Sequence, residues 1–242
     1  MLSATAQLHA TAIDSTLFTN YSIDAQHANL TWLVCGSTQN SEGCYGIGTL
    51  GPFGRVGALI EGYPSQDVEK GTVTRYIYIV DVAYGSNRNG VELYVYKKVD
   101  TITSDTDSVT VTLFKTVSLP LSGGTGTIAF MAASFRFLYI GTNHNNQPVQ
   151  VQKSNLALSP LSAISSDSTN ISAITADQYG YVTVTAGGVF ETFNPKGQVE
   201  EEGGGANFML NNVKYDSSSR TIYAPVNSKL KLSSSQPPVL LP

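Results

Sequence analysis

Charge is what this sequence has least of. Only 13% of its 242 residues are Asp, Glu, Lys or Arg, about half the share usual for a soluble domain. The surface must therefore be polar but mostly uncharged, built from the abundant Gly, Ser, Thr and Asn. That composition suits an exported β protein better than a cytosolic enzyme. Fourteen basic residues stand against 18 acidic ones, for a net charge of -4. No dense Lys/Arg cluster occurs, which argues against a phosphate-neutralising surface and against nucleic acid as a partner. Apolar runs are also short: none approaches the roughly eighteen residues that a membrane-spanning helix needs, so no membrane insertion is expected. A sustained 3.6-residue apolar period is missing throughout, which excludes an amphipathic helical architecture.

Cysteine and histidine are nearly as scarce. The two cysteines, Cys35 and Cys44, are separated by GSTQNSEG, a loop that can bring two strand ends within disulfide reach. A bridge between them is expected, with two free thiols as the alternative. No CxxC occurs, and His9, His27 and His144 lie far apart, so no zinc site is expected. GxSxG, HExxH, P-loop and EF-hand patterns are absent as well, and no cofactor is implied. The N-terminal stretch MLSATAQLHATA has neither the basic start nor the apolar centre of a secretion signal. A processed exported protein and one that is never exported both fit it. Composition and cysteine usage favour a secreted, periplasmic or cell-surface protein.

Five short segments share one pattern, an alternating apolar strand that ends in small or polar residues: TWLVCGS from Thr31, YIYIVDV from Tyr76, FLYIGTN from Phe137, YVTVTAG from Tyr181 and TIYAPVN from Thr221. Their starts are separated by 45, 61, 44 and 40 residues, spacings that fit one four-stranded propeller blade each. A polar turn and a second alternating strand follow the anchors, as in GVELYVYKK, PVQVQKS, GVFETFNPKG and SKLKLSS. Another apolar strand precedes the later ones. The longer second period is assigned to an acidic Thr/Ser loop over residues 99–110. The fold expected is all-β, a single five-bladed β-propeller of four-stranded antiparallel blades over residues 1–235. Residues 1–14 are expected to be a flexible segment, and the proline-rich 236–242 a tail outside the ring. Residues 16–23 are expected to complete the last blade by pairing near 228–235, which would close the ring without an open sheet edge. Residues 56–64 fit either the outer strand of the first blade or the inner strand of the second.

The stretch ISAITADQYGYVTVTAGGVFETFNPKGQV resembles NHL-like propeller repeats, with an apolar inner strand, a D-x-x-G turn from Asp177 to Gly180 and an alternating second strand. The first third, with CYGIGTLGPFGRVGALIEG, resembles exported bacterial propellers. The resemblance implies a fold and no chemistry, because propellers carry binding, scaffold and hydrolytic functions alike.

Paired carboxylates are the first chemistry to test, since a glycosidase needs two across the scissile bond. Asp24, Glu61, Asp81 and Asp177 are the strand-end candidates, and none stands in a distinctive motif. Asp177 has a ready structural role in capping its own turn. Tyrosine is plentiful, at 13 residues. Tyr76, Tyr78, Tyr94 and Tyr96 alternate along two strands, where packing between blades competes with stacking on a sugar. Tyr45, Tyr63 and Tyr84 are the loop tyrosines. The loops joining second to third strands would bring Gln39, Asn40, Asn87, Arg88, Asn143, His144, Asn145 and Asn227 to one face, with Tyr45 nearby. Amide groups there suit sugar hydroxyls or a peptide backbone, and they also suit tight turns. The function expected is a non-enzymatic, monomeric binding or scaffold module for a carbohydrate or peptide, with a carbohydrate-active hydrolase as the alternative.

Overall fold

The computed structural model describes residues 17–24, 29–36, 44–85, 87–102, 107–164, 170–204, 214–216 and 221–223. Every regular element among them is a β-strand. The first sheet holds β1 (Leu17–Asp24), β2 (Asn29–Gly36) and β3 (Cys44–Leu50). The second holds β4 (Val56–Glu61), β6 (Thr72–Tyr84), β7 (Gly90–Ile102) and β8 (Asp107–Leu119), with the short β5 (Ser65–Asp67) paired to β6. β9 (Ala129–Ala133), β10 (Phe137–Thr142), β11 (Val149–Gln152) and β12 (Leu158–Pro160) form the third. The fourth is β13 (Ile171–Ala176), β14 (Val182–Ala186), β15 (Val189–Phe193) and β16 (Val199–Gly204), and the fifth pairs β17 (Lys214–Asp216) with β18 (Thr221–Tyr223). All pairings are antiparallel.

The five sequence anchors fall on β2, β6, β10, β14 and β18, the second strand of each sheet. Strand alternation explains how the sheets stack, because odd and even positions of one strand serve opposite faces. In β6, Ile77 and Ile79 pack with Leu30, Leu50 and Phe53 of the first sheet and its exit. Tyr78, Val80 and Val82 face Leu138, Ile140, Val149 and Val151 of the third. From the third sheet, Tyr139 joins Val182, Val184 and Phe193 of the fourth. Sheets two and three are thus apolar on both faces, which is why YIYIVDV reads as an almost unbroken apolar run. Each fully buried Ile or Leu in these layers contributes roughly 1.5–3 kcal/mol.

From the second sheet onward the first strands of successive sheets run beside one another, β4 against β9, β9 against β13 and β13 against β17. Gly57 on β4 shows how close they come, because a Cβ there would lie 2.9 Å from the Cβ of Ala129 on β9 and 2.6 Å from Val82 Cγ1. Meander sheets stacked face to face in chain order, with first strands converging, are the arrangement of a β-propeller.

Two expectations change, and one open alternative is resolved. Residues 16–23 were expected in the last blade, but β1 pairs along its whole length with β2, from Leu17 opposite Gly36 to Asp24 opposite Asn29. A hairpin closes a far shorter loop than a pairing between chain ends, so its entropic cost is smaller. The expected partner, 228–235, lies outside the described residues, as do residues 1–14 and the tail 236–242. The extra length of the second repeat is mostly strand rather than loop: β6, β7 and β8 each run 13 residues, because the β-branched Thr, Val and Ile of 99–102 and 107–111 favour the pleated surface. Residues 56–61 settle as the inner strand of the second sheet. The Glu200–Glu202 run lies on β16, the edge strand of the fourth sheet, as its charge predicts.

Candidate ligand-binding cleft

Among the described residues, the second-to-third-strand turns of the second and third sheets lie close together. Ser122 to Gly124, between the second and third sheets, tie two of them together: Gly123 N donates to Asn89 O at 2.9 Å and Ser122 N to Asn145 Oδ1 at 2.9 Å. Two of the amides expected to meet a ligand, those of Asn143 and Asn145, are occupied in local structure here. Asn143 Oδ1 accepts from Ile128 N at 2.7 Å and its Nδ2 donates to Gly126 O at 3.3 Å. Asn145 Oδ1 also accepts from Thr142 Oγ1 at 3.0 Å. Asn87, Arg88 and His144 are exposed on the same turns, and Arg88 sits at φ 53°, a turn position that asparagine or glycine fills more readily. Tyr45 lies on β3, while Gln39, Asn40 and Asn227 lie outside the described residues.

The carboxylate candidates that can be followed are engaged in structure. Asp81, 1% exposed, accepts from Gly54 N at 2.6 Å on Oδ2 and from Arg55 N at 2.8 Å and Ala83 N at 3.0 Å on Oδ1. Asp177 Oδ1 accepts from the N–H groups of Tyr179, Gly180 and Tyr181 at 2.9–3.0 Å. The D-x-x-G turn is therefore built around its own carboxylate, with Gly180 supplying φ 103°. Asn194 repeats the device, accepting from Lys196 N and Gln198 N at 2.9 and 3.1 Å, with Gly197 at φ 79°. Glu61 lies 3.7 Å from Lys98 Nζ, which is also 3.5 Å from Asp100. Asp24 ends β1 opposite Asn29.

At the opposite end of the strands, between the second and third sheets, a cleft of about 510 Å³ is lined by Gly62, Tyr63, Tyr76, Tyr78, Phe135, Arg136 and the turn Gln152–Ser154. That volume falls among small-ligand sites, at roughly 300–1,000 Å³. Chain geometry places each wall. Tyr63 follows β4, and Gly62 N donates to Tyr76 O at 2.8 Å, so the exit from β4 crosses β6. Phe135 and Arg136 form the β9–β10 turn, and Lys153 begins the β11–β12 turn. The two turns are bound together by Lys153 N donating to Arg136 O at 2.9 Å.

Aromatic side chains make the surface. Tyr63 and Phe135, 52% and 54% exposed, face each other with centroids 4.6 Å apart at the mouth. Tyr76 contacts Phe114 edge-on at 5.5 Å. Phe114 is exposed because the register slips between Val95 and Tyr96: Tyr96 faces Leu113 and Val95 faces Lys115. Phe114 is left as the extra residue of a β-bulge, a device that re-aims a side chain. Lys153 Nζ donates to Ser134 O at 2.6 Å and lies 5.5 and 5.6 Å from the ring centroids of Tyr63 and Tyr78. Removal from water pulls the Lys153 ammonium down to about 8. Burial, with Tyr76 nearby, pushes the Tyr78 phenol up to about 12. No carboxylate lines the cleft.

Tyr63, Tyr76 and Tyr78 were legible as candidate stacking residues; Phe135, Arg136, Gln152 and Lys153 were missed. They lie on first-to-second and third-to-fourth turns, away from the face searched. The available signal was an aromatic next to a cation in a short turn, SFRF.

No family model matches the sequence, and no curated protein matches it. Among solved structures the chain is similar to a gluconolactonase from Xanthomonas campestris, at 15% identity and TM-score 0.36, over 86% of this chain and 69% of that one. It is also similar to a virginiamycin B lyase from Staphylococcus aureus, at 11% identity and TM-score 0.32, over 78% and 70%. A β-propeller domain from Myceliophteria thermophila matches at 11% identity and TM-score 0.35, over 86% and 82%. Likenesses this loose carry no argument about function, and the description of the fold rests on the sheet topology above.

Proposed function

We propose that the chain is an exported, monomeric five-bladed propeller whose function is to bind carbohydrate in the cleft between the second and third sheets. The observation that carries this reading is the pair of half-exposed rings, Tyr63 and Phe135, at the mouth of a cleft floored by Tyr76 and Tyr78. Large aromatics are normally spent on burial. Two left half in the open, packed against one another at a tilt, offer their outward apolar surfaces, on which the C–H side of a sugar ring rests. Gln152, Arg136 and Ser154 supply hydrogen-bonding groups of both senses for its hydroxyls. The blade count is supported by the five anchors, each the second strand of its own sheet.

Retention of the protein on immobilised oligosaccharides tests the reading. The wild-type chain is expected to bind, and Tyr63→Ala and Phe135→Ala, both at exposed positions, to weaken binding tenfold or more while folding normally. Binding undiminished by both substitutions would contradict the assignment of the cleft.

A further inference from the structure

We propose that the ligand is acidic: a uronate, whose ring rests on Tyr63 and Phe135 while its carboxylate is held by Lys153 and Arg136. This rests on the reading of the cleft as a carbohydrate site and names the class of sugar.

Charge complementarity carries the inference. The chain is acidic overall, with 18 Asp and Glu against 14 Lys and Arg, yet the cleft wall contains two cations and no carboxylate. Two other lysines have carboxylate partners. Buried Lys98 stands between Glu61 and Asp100, and exposed Lys70 pairs with Asp67 at 2.8 Å. Lys153 is half-buried among rings, and its one hydrogen bond to the Ser134 carbonyl leaves two N–H donors of the ammonium for a ligand. The backbone bond from Lys153 to Arg136 sets both cations on adjoining turns. In so apolar a wall an ammonium without a counter-charge is costly, and an incoming carboxylate would offset that cost.

The same desolvation gives a pH signature. The groups facing Lys153 are the Tyr63 phenol beyond β4, the Tyr76 and Tyr78 phenols of β6 and the Arg136 guanidinium of the β9–β10 turn, with Gln152 and Ser154 on its own turn. Lys153 loses its proton near pH 8 in the free protein. A carboxylate ligand favours the charged amine, so affinity is full below that value and falls as pH rises through it.

Calorimetric titration of the full chain with digalacturonate, its methyl ester and benzoate tests this. At pH 6.5 the free acid is expected to bind at least tenfold more tightly than the ester, and its affinity should fall severalfold at pH 9. Lys153→Met should abolish the acid's advantage, Lys153→Arg should keep it at both pH values, and Arg136→Gln, on an exposed side chain, should reduce it severalfold whether or not the Met variant folds. Acid and ester binding equally, with no effect of Arg136→Gln, would overturn the acidic class and leave a neutral-sugar site standing. Neither sugar binding would overturn both readings, and so would Lys153-dependent binding of benzoate alone.

Discussion

The phenol of Tyr139, on β10, donates a hydrogen bond to the carbonyl of Gly180 in the D-x-x-G turn of the next sheet. Gln150, beside it on β11, donates from Nε2 to Pro195 O at 3.2 Å, so the third sheet grips two turns of the fourth, β13–β14 and β15–β16. Tyr139→Phe removes the donor and leaves a buried carbonyl unpaired, which costs roughly 1–3 kcal/mol. Urea unfolding should show that loss while carbohydrate binding stays unchanged, because the turn lies outside the cleft. Unchanged stability would mean that the sheets are not held together there.

Asp81 offers a second test, since it separates a structural carboxylate from a catalytic one. Its three backbone partners order residues 54–55 against β6. Asp81→Ala should cost on the order of 3 kcal/mol, because three charge-assisted, part-buried hydrogen bonds are lost at once. Limited proteolysis should then find new cleavage near residues 51–55. A variant as stable as the parent would contradict the structural role.

Lys98 and Asp100 are fully buried, and the Asp100 oxygens have no hydrogen-bond partner. Lys98→Met leaves a carboxylate uncompensated in the core and should cost roughly 3–5 kcal/mol. The double change Lys98→Met with Asp100→Leu should recover most of it. Burial raises the Asp100 pKa, the Lys98 charge only partly opposing this. Folding therefore takes up a proton at this site, so its contribution to stability is present at acid pH and is lost as pH rises through the raised value. Denaturation across that range should show wild type losing stability relative to Asp100→Asn as pH rises. The opposite slope would contradict the burial argument.

Cys35 and Cys44 stand directly opposite one another across β2 and β3. Opposed positions of an antiparallel pair have Cα atoms roughly 4.5–5.5 Å apart, within the range a disulfide spans. Protein made under oxidising conditions should gain no mass on alkylation until reduced. Reduction should lower stability by about 2–3 kcal/mol, the entropy of a short loop. Two thiols alkylated without reductant would refute the bridge.

Much of the architecture was legible because it follows from alternation. The anchors were visible as alternating runs, and each proved to be the second strand of a sheet. Turn chemistry was legible where one side chain makes the turn, as Asp177 does. Pairing partners were less so: the pattern of 16–23 fits any sheet edge, and only the short path to Asn29 selects β2. The cleft was half legible, because an aromatic on a strand reads the same whether it packs or faces solvent. What exposes Phe114 is a one-residue register slip, and what brings Tyr63 to Phe135 is the approach of turns 72 residues apart in sequence. Neither leaves a local pattern.

On the proposed reading, ligand enters between the second and third sheets rather than at the turns around Asn143. The most direct measurement is a heteronuclear NMR titration with digalacturonate. Amide shifts are expected to concentrate at Tyr63, Phe135, Arg136 and Lys153, with little change at Asn87 to Asn89 and Asn143 to Asn146. Shifts confined to those turns, or none at saturating sugar, would contradict the account.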